Sequence, residues 1–310
     1  MGKGRIDGVL VVDKEEGITS YDVIRKVKRY LRGVKIGYLG TLDPLATGVL
    51  PLLIGEGTKL APFLENGQKV YDATIRLGVT TDTQDKDGRV IREEDLSRWD
   101  LTPERIEEVL GEFRGRIKQI PPMFSSKKYR GRPLYKLARR GIEVEREPKE
   151  VEIYELELRD VKLPFVRVYL RCSKGTYART LAHDIGERLG CGGHLFALRR
   201  LSNGPFTEKE AMGLDEVVEL ASRGRLKEAI IPLGEALSFL PSVRLDDEEV
   251  WKVRHGGQIE RDGEEGFLGL GRLLNSRGDL LAVGEGVRVG RRIWIRPVRV
   301  FRIDQEQEEV

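Results

Sequence analysis

One short segment constrains this 310-residue chain strongly, because it sets a single carboxylate among glycines and a proline. It reads GTLDPLATG from Gly40 to Gly48, with Asp43 at its centre, and the apolar run Val49–Ile54 follows directly. Proline restricts the preceding residue to extended backbone, and glycine permits positive φ and close approach of another group. The apolar run is typical of a buried strand. The segment therefore predicts a rigid loop that presents Asp43 as a nucleophile or general base, with an ordinary turn-capping Asp as the alternative.

Two further residues stand out through the pattern around them. From Lys69 to Val79 apolar and polar residues alternate, which predicts a strand with Tyr71 on its core face. Downstream, an alternating strand ending at Cys172 leads into a helix with Arg179 in its first turn. The helix dipole disfavours a cation there, so Arg179 is a candidate for pairing with a carboxylate elsewhere. A core tyrosine and a surface arginine are the simpler interpretations.

The segment 125–141, SSKKYRGRPLYKLARRG, carries positive charge without any acid, and we call it the basic segment. Tyr129 and Tyr135 are interleaved with its seven basic residues, which are Lys127, Lys128, Arg130, Arg132, Lys136, Arg139 and Arg140. Acids balance bases elsewhere in the chain, so this cluster indicates a surface for a polyanion, with aromatic rings able to stack on unpaired bases. A solvated basic loop is the alternative.

Composition indicates a two-domain protein of a reducing compartment. The length exceeds the ~100–200 residues of one typical domain, and Lys+Arg 54 against Asp+Glu 51 leaves a net charge of only +3. The 2 cysteines do not form a disulfide framework. No segment approaches the ~20 apolar residues of a membrane span. We therefore expect a cytoplasmic protein without membrane contact, and a monomer.

Neither of two possible metal sites is convincing. The loop 80–88 has faint calcium-loop spacing, but a predicted strand precedes it where a helix is required, so we predict a hairpin-type turn. Among Cys172, His183, Cys191 and His194, only the last two have zinc-ligand spacing. We therefore predict no metal and no cofactor.

The chain changes character near residue 239. A helix at about 246–254 and glycine-punctuated strands at 266–274, 279–284 and 293–301 predict a small, mostly β domain. We expect domains at 1–238 and 239–310, the first an α+β fold with a mixed, largely antiparallel central sheet and flanking helices. Thr207 and Glu210 have the spacing of a capping box, which predicts a helix start.

Several motifs, in order along nearly the whole chain, resemble the TruB family, the pseudouridine synthases that act on uridine 55 of the tRNA T-loop. The resemblance rests on Gly40–Gly48, Lys69-Val70-Tyr71, Ile120–Ser125, Cys172–Thr180 and Leu198-Arg199-Arg200. Residues 239–310 resemble the PUA domain, an RNA-binding module, as in bacterial-type members. The resemblance implies a pseudouridine-synthase fold, a tRNA T-arm substrate and no cofactor.

The resemblance also implies roles for single residues. Asp43 matches the essential aspartate, Tyr71 the tyrosine that stacks on the target base, and Arg179 the arginine that pairs with the aspartate. The other matching residues are Tyr177 and Leu198 in the uracil pocket and Lys14 in an early Asp-Lys-x-x-Gly segment. The basic segment falls where bacterial members carry an RNA-gripping insertion, here about 125–150, so Lys127, Lys128 and Arg130 are predicted to contact RNA.

One position departs from the family. Many members read Gly-His-Thr-Gly before the aspartate, whereas this chain has Gly37-Tyr38-Leu39-Gly40. That histidine is thought to occupy the place vacated by the flipped base. A tyrosine ring can stack there but does not exchange a proton near neutral pH as imidazole does. We therefore predict that Tyr38 binds substrate by stacking.

The chemistry needs only an activated carboxylate. Isomerising uridine breaks the N-glycosidic bond, rotates the uracil and rejoins it through C5, with no redox or phosphoryl step. A nucleophilic Asp43 splits this process into easier steps, and attack at C1′ or C6 both remain open. Two alternatives are an RNA-binding or tRNA-folding protein with secondary catalysis, and a retaining glycosidase. The latter needs a second carboxylate ~5–5.5 Å away, which the Asp43 motif does not supply.

Overall fold

The structure, a computed structural model, describes residues 5–125 and 127–302. Its strands are Gly8–Lys14 (β1), Ile36–Tyr38 (β2), Ala46–Ile54 (β3), Lys69–Leu77 (β4), Val79–Thr81 (β5), Val90–Glu93 (β6), Gly115–Gln119 (β7), Lys128–Tyr129 (β8), Arg132–Pro133 (β9), Lys149–Lys162 (β10), Phe165–Cys172 (β11), Gly193–Asn203 (β12), Phe206–Thr207 (β13), Met212–Gly213 (β14), Ser242–Arg244 (β15), Ile259–Asp262 (β16), Gly269–Leu274 (β17), Leu280–Val289 (β18) and Arg292–Val300 (β19). Its α-helices are Ser20–Lys28 (α1), Ala61–Leu64 (α2), Pro103–Glu112 (α3), Leu134–Ala138 (α4), Ala178–Leu189 (α5), Leu214–Ser222 (α6), Leu233–Ala236 (α7) and Asp247–Arg254 (α8).

A ten-stranded sheet forms the centre of the molecule. Its main path runs β14-β1-β3-β12-β4-β11-β10-β7, with β2 added beside β3 and β13 beside β12. The pairs β1–β14 and β3–β12 are parallel, and the other pairs are antiparallel. The predicted mixed, largely antiparallel sheet is confirmed. The functional motifs converge here because β3, β12 and β4 are adjacent, so Leu198 lies beside both Ala46 and Ala73.

The helices that flank the sheet begin and end at local sequence signals. Helix α1 starts in a capping box, in which the Thr19 hydroxyl accepts from the Asp22 amide and the Asp22 carboxylate accepts from the Thr19 amide. Helix α5 ends at Gly190, whose φ of 93° is the left-handed conformation expected after a helix. Both helix ends therefore follow from residues next to them in the sequence.

Apolar residues alternate between two cores on opposite faces of the sheet. Along β1, Leu10 and Val12 pack into the larger core with the helices, whereas Val9 and Val11 face the smaller one. The smaller core also contains Leu280, Val283 and Phe301 from the C-terminal region. The C-terminal region therefore packs against the central sheet through shared apolar burial.

The C-terminal region is mostly β, as predicted, and its five-stranded sheet has the order β15-β17-β18-β19-β16. Strands β15 and β16 are additional to the predicted ones, and α8 begins after its cap Asp246. The predicted boundary between residues 238 and 239 stays a proposal. Part of each predicted domain, namely residues 1–4 and 303–310, lies outside the described residues.

One local prediction is wrong. The Thr207 amide and hydroxyl do bond to the Glu210 carboxylate, both at 2.8 Å. No helix starts there, because the pair closes a turn between β13 and β14, and the next helix begins only at Leu214. The same side-chain pairing satisfies a turn as well as a helix end, so spacing alone does not distinguish them.

Candidate active site

Asp43 lies in the loop between β2 and β3, and its neighbours are fixed by buried polar groups. The Ser20 hydroxyl accepts from the Leu42 amide at 2.9 Å and donates to the Leu42 carbonyl at 3.0 Å. The Asp43 carbonyl accepts from the Ala46 amide at 3.0 Å, and the Pro44 carbonyl accepts from the Gly17 amide at 2.8 Å. The loop backbone is therefore held before and after the carboxylate.

Lys14 secures the same loop from inside the protein. Its side chain is fully buried, and its ammonium donates to the carbonyls of Glu15, Ile18 and Pro44 at 2.7, 2.8 and 3.2 Å. Burial lowers the pKa of Lys14 to about 8, while the nearby Asp43 charge acts in the opposite direction. The contacts are those of a residue that positions the loop. The predicted contact of Lys14 with substrate stays a prediction.

Arg179 reaches Asp43 across a long sequence separation. Its Nε lies 2.8 Å from Asp43 Oδ2, in an ion pair whose angle does not meet hydrogen-bond geometry. The Arg179 side chain is only 6% exposed, whereas that of Asp43 is 36% exposed. The cation is thus buried behind the carboxylate, and the carboxylate keeps an open side for a substrate.

A second carboxylate, not identified from the sequence, binds the same guanidinium. Arg179 Nη1 lies 3.3 Å from Asp85 Oδ2, and Nη2 donates to the Phe124 carbonyl at 2.9 Å. Asp85 is buried and also accepts from the Thr83 hydroxyl at 2.6 Å and from the Asp87 amide at 3.2 Å. Because these bonds fix Asp85, it orients Arg179, and Arg179 in turn orients Asp43.

The loop 80–88 is therefore more than the predicted turn. Strands β5 and β6 do form a hairpin, in agreement with the prediction. Asp85 also makes an isolated parallel bridge to Leu195 in β12, and the Lys86 amide donates to the Leu195 carbonyl at 3.0 Å. The hairpin tip is thus tied to the central sheet beneath the site. The loop contains several acidic residues, and nothing in the sequence distinguishes Asp85 from the others.

The charges around Asp43 act in opposing directions. Burial raises the pKa of Asp43 above its ordinary value, and the Asp85 carboxylate adds to that rise. Arg179 and Lys14 lower the pKa of Asp43, as the sequence argument expected of Arg179, but burial outweighs them. Although part of the side chain is open, many protein atoms surround the carboxylate. The site therefore holds a carboxylate whose ionised form is poorly solvated, which favours reactivity as a nucleophile.

Tyr71 lies on the core face of β4, as its alternating pattern predicted, and is only 7% exposed. It is the cross-strand neighbour of Arg200 in β12. Burial raises the pKa of Tyr71 to about 12, and the Arg200 charge opposes this rise. At neutral pH the Tyr71 side chain is therefore a neutral ring within reach of the electrostatic field of Asp43.

The remaining predicted pocket residues surround the same region. Leu198 is buried between β3 and β4. Tyr177 precedes α5, and its backbone is clamped by the buried Gln119, whose side chain accepts from the Tyr177 amide at 3.0 Å and donates to its carbonyl at 3.3 Å. Tyr38 ends β2 beside Leu52 and is partly buried against the main core. Gln119 is a second positioning residue that sequence patterns did not reveal.

The basic segment forms a small exposed hairpin followed by α4. Strands β8 and β9 pair around Arg130 and Gly131, which both have positive φ, as in a tight two-residue turn. Lys128 and Arg130 are exposed and Lys127 is half-buried, with Ser126 outside the described residues. The guanidinium of Arg130 lies over the Tyr129 ring at 5.4 Å from its centroid, and that of Arg139 lies over the Tyr135 ring at 5.5 Å, so each tyrosine makes a cation–π contact.

The cysteines and histidines are dispersed. Cys172 and Cys191 are buried free thiols, and the His194 Nδ1 lies 2.7 Å from the Val79 carbonyl. Across residues 5–125 and 127–302, no three His, Cys, Asp or Glu side chains form a group that could hold a metal ion. In the same ranges no helix has the length and apolar character needed to cross a membrane.

Solved structures share this architecture. A crystal structure of a Cbf5–Nop10–Gar1 complex superposes with a TM-score of 0.73 and 27% identity, covering 95% of this chain and 85% of that one. An H/ACA ribonucleoprotein bound to a substrate RNA containing 2′-deoxyuridine gives 0.71 and 25% identity, covering 96% and 85%. The fold is thus that of a pseudouridine synthase with a PUA-like C-terminal domain.

Sequence comparison gives the family. The profile of the TruB family pseudouridylate synthase N-terminal domain matches residues 28–178, and that of the tRNA pseudouridylate synthase B C-terminal domain matches 179–238. Two relatives called tRNA pseudouridine synthase B are similar over most of both chains. The Geobacter sulfurreducens protein is 47% identical, covering 92% of this chain and 93% of its own, and the Syntrophomonas wolfei protein is 42% identical, covering 96% and 99%. The chain belongs to the TruB family and isomerises uridine to pseudouridine.

Proposed function

We propose that the substrate is tRNA and that the enzyme modifies uridine 55 in the T-loop. The names of the relatives, tRNA pseudouridine synthase B, support the tRNA substrate. The observation that carries the assignment of the catalytic group is the ion pair of 2.8 Å between Asp43 Oδ2 and Arg179 Nε. We also propose that the enzyme acts as a monomer in the cytoplasm.

The proposed reaction balances without an added reagent. If Asp43 attacks C1′, it displaces N1, the uracil rotates, and the new C5–C1′ bond displaces Asp43 in turn. If Asp43 adds to C6, the N1–C1′ bond breaks, the uracil rotates, C5 bonds to C1′, and Asp43 is then eliminated from C6. On both routes C5 loses its hydrogen to solvent as a proton and N1 gains a proton. Arg179 holds the carboxylate in position for attack, because its own orientation is fixed by Asp85 and by the Phe124 carbonyl.

Base flipping explains the aromatic residues of the site. A base in a folded RNA loop is stacked, so its target atom reaches Asp43 only after extrusion. Tyr71 would stack on the flipped uracil, with Tyr177 and Leu198 lining the pocket. Tyr38 would occupy the place the base leaves. Each stacking contact offsets the lost RNA stacking by ~1–3 kcal/mol.

The exposed basic hairpin is proposed to grip the RNA backbone. Lys127, Lys128 and Arg130 lie within or next to a two-residue turn that projects their charges outward. No ion pair involves these three side chains within the described ranges, so their charges are available to phosphates. The proposed second domain, 239–310, would add RNA contacts away from the active site.

The alternatives fit the site less well. A tRNA-folding protein with secondary catalysis does not require a carboxylate oriented by an arginine and a second acid. A retaining glycosidase requires a second carboxylate that is free to exchange protons. Asp85 is the nearby acid, but it is buried and bound to Arg179, Thr83 and the Asp87 amide. Its bonds suit positioning.

The test replaces Asp43 by Asn, which keeps the shape but removes the nucleophile. The variant should bind a T-arm hairpin with wild-type affinity and release no hydrogen from C5 of the target uridine. Mapping pseudouridine in tRNA treated with the wild-type enzyme checks the position. Isomerisation by Asp43→Asn at near the wild-type rate would remove Asp43 from the role of nucleophile. Pseudouridine at another position would overturn the proposed substrate site.

A further inference from the structure

Arg200 is a buried cation without an acid beside it. Its side chain is completely buried, Nε donates to the Val49 carbonyl at 2.7 Å, and Nη2 donates to the Gly40 carbonyl at 3.0 Å. Its Nη1 has no hydrogen-bond partner, the side chain that interacts with its charge is the neutral Tyr71, and no carboxylate of the described residues forms an ion pair with it. A buried charge is costly unless it is paired, so a counter-charge is expected from outside the chain.

Lys69 brings a second cation to the same point. A Cβ atom at Gly40 would lie 3.3 Å from both Lys69 Cε and Arg200 Nη1, so the two side chains converge on this glycine. Within residues 5–125 and 127–302 the Lys69 ammonium has no hydrogen bond or ion pair. Burial lowers the pKa of Lys69, and the charges of Arg200 and Lys174 lower it further.

The position of Lys69 and Arg200 beside the candidate active site indicates which anion they could bind. Gly40 precedes Asp43 by three residues, and Lys69 precedes Tyr71 by two along β4. The cations therefore border the site where the target nucleotide is flipped. RNA carries one phosphodiester on each side of that nucleotide, and such contacts position a nucleic acid without reading its sequence.

We propose that Lys69, with Arg200 behind it and Lys174 at the exposed rim, binds a backbone phosphate of the RNA next to the target uridine. This subsite rests on the proposed function, because it needs an RNA substrate. This subsite and the basic segment would have different roles in binding the RNA. The basic segment would grip the RNA at a distance from the chemistry, whereas Lys69 would hold the flipped nucleotide in register with Asp43.

The experiment combines an enzyme variant with a neutral phosphate. T-arm hairpins carry a methylphosphonate either 5′ or 3′ of the target uridine, and single-turnover kcat/KM is measured. The enzymes are wild type, Lys69→Met, Lys69→Arg and the control Lys162→Met, whose exposed lysine lies at the far end of β10. Loss of one charge-assisted contact should lower kcat/KM roughly tenfold.

We expect that the losses of kcat/KM caused by Lys69→Met and by the methylphosphonate do not multiply. The wild-type enzyme and Lys162→Met lose roughly tenfold on one of the two methylphosphonate RNAs, and Lys69→Arg retains most of the activity and the same sensitivity. Lys69→Met is slow on natural RNA and loses nothing more on that methylphosphonate RNA. Losses that multiply, or a wild-type enzyme indifferent to both substitutions, would overturn the subsite. A wild-type enzyme that makes no pseudouridine in natural T-arm RNA would instead refute the proposed function.

Discussion

Asp85 and Arg179 form a buried pair, with Asp85 Oδ2 3.3 Å from Arg179 Nη1, and this pair stands directly behind Asp43. One guanidinium thereby contacts two carboxylates, of which only Asp43 has an open side. The arrangement separates the two tasks, since Asp85 holds the arginine and Asp43 has the solvent-accessible side that we propose for the substrate. It also leaves the negative charge of Asp85 close enough to raise the pKa of Asp43.

Replacing Asp85 by Asn should impair catalysis without affecting RNA binding. The Asn side chain can still bond to the loop but no longer pairs electrostatically with Arg179, so a small misplacement of Asp43 is expected to lower kcat about 100-fold. Single-turnover rates with a T-arm hairpin measure this. Asp87→Asn is the matched control, since Asp87 lies exposed in the same loop. Equal effects of the two substitutions would contradict a positioning role for Asp85.

The raised pKa of Asp43 predicts a loss of activity on the acid side. Protonation removes the nucleophile, so the rate should fall at a pH higher than an ordinary aspartate would give. Asp85→Asn removes one cause of the rise, and its acid limb should therefore move to lower pH. Rate profiles of the two enzymes test the direction. An acid limb that stays in place, or moves to higher pH, would show that Asp85 does not influence Asp43.

The same shift has a consequence for stability. Since the folded-state pKa of Asp43 is raised, the folded protein binds this proton more tightly than the unfolded chain. The contribution of Asp43 to stability is therefore largest below the ordinary aspartate pKa and is lost as pH rises through the folded-state pKa. Asp43→Asn should be more stable than wild type at neutral pH, and the difference should shrink on acidification. Denaturant unfolding at several pH values measures it; a difference independent of pH contradicts the linkage.

Tyr38 tests whether its position requires only a flat ring. If Tyr38 stacks in the place of the flipped base, Tyr38→Phe should have nearly wild-type kcat/KM. Tyr38→Ala should lose the stacking contact of ~1–3 kcal/mol, or roughly 5- to 150-fold in kcat/KM. Steady-state rates on the T-arm hairpin distinguish the variants. A large defect in Tyr38→Phe would instead indicate that the hydroxyl takes part.

Neutralising Lys127, Lys128 and Arg130 together should weaken tRNA binding and flatten its salt dependence. Each lost phosphate contact reduces the slope of log K against log salt by about 0.7–0.9. A control neutralises three exposed cations elsewhere, Arg98, Lys162 and Arg223, which changes the net charge equally. Binding isotherms at several salt concentrations give both slopes. If the slope is unchanged, or falls equally in the control, the hairpin does not contact phosphates.

Much of the site was predictable because its signals are local. The Asp43 loop, the core face of β4 that carries Tyr71, and the first turn of α5 that carries Arg179 each follow from periodicity, proline and glycine. The mixed sheet and the small β domain follow from the order of such elements. The family motifs added the expectation that Asp43 and Arg179 meet, which the 2.8 Å ion pair matches.

Asp85, Gln119 and the Lys69–Arg200 cluster required the tertiary structure. Asp85 is one of several acids in a loop, and its contact with Arg179 and its bridge to Leu195, both distant in sequence, place it under the site. Gln119 ends an edge strand and meets Tyr177 only because β7 and the start of α5 are brought together. The net direction of the pKa of Asp43 likewise depends on burial, which a sequence does not display.

The Asp43 segment depends both on interactions between sequence neighbours and on interactions that only the tertiary structure creates. By itself the sequence determined a constrained carboxylate on a strand-anchored loop, because backbone restrictions at Pro44 and the apolar run after Gly48 act between neighbouring residues. The tertiary structure decided which charges surround that carboxylate. Coulomb interactions and desolvation depend on distance in space, and the adjacency of β3, β12 and β4 sets those distances.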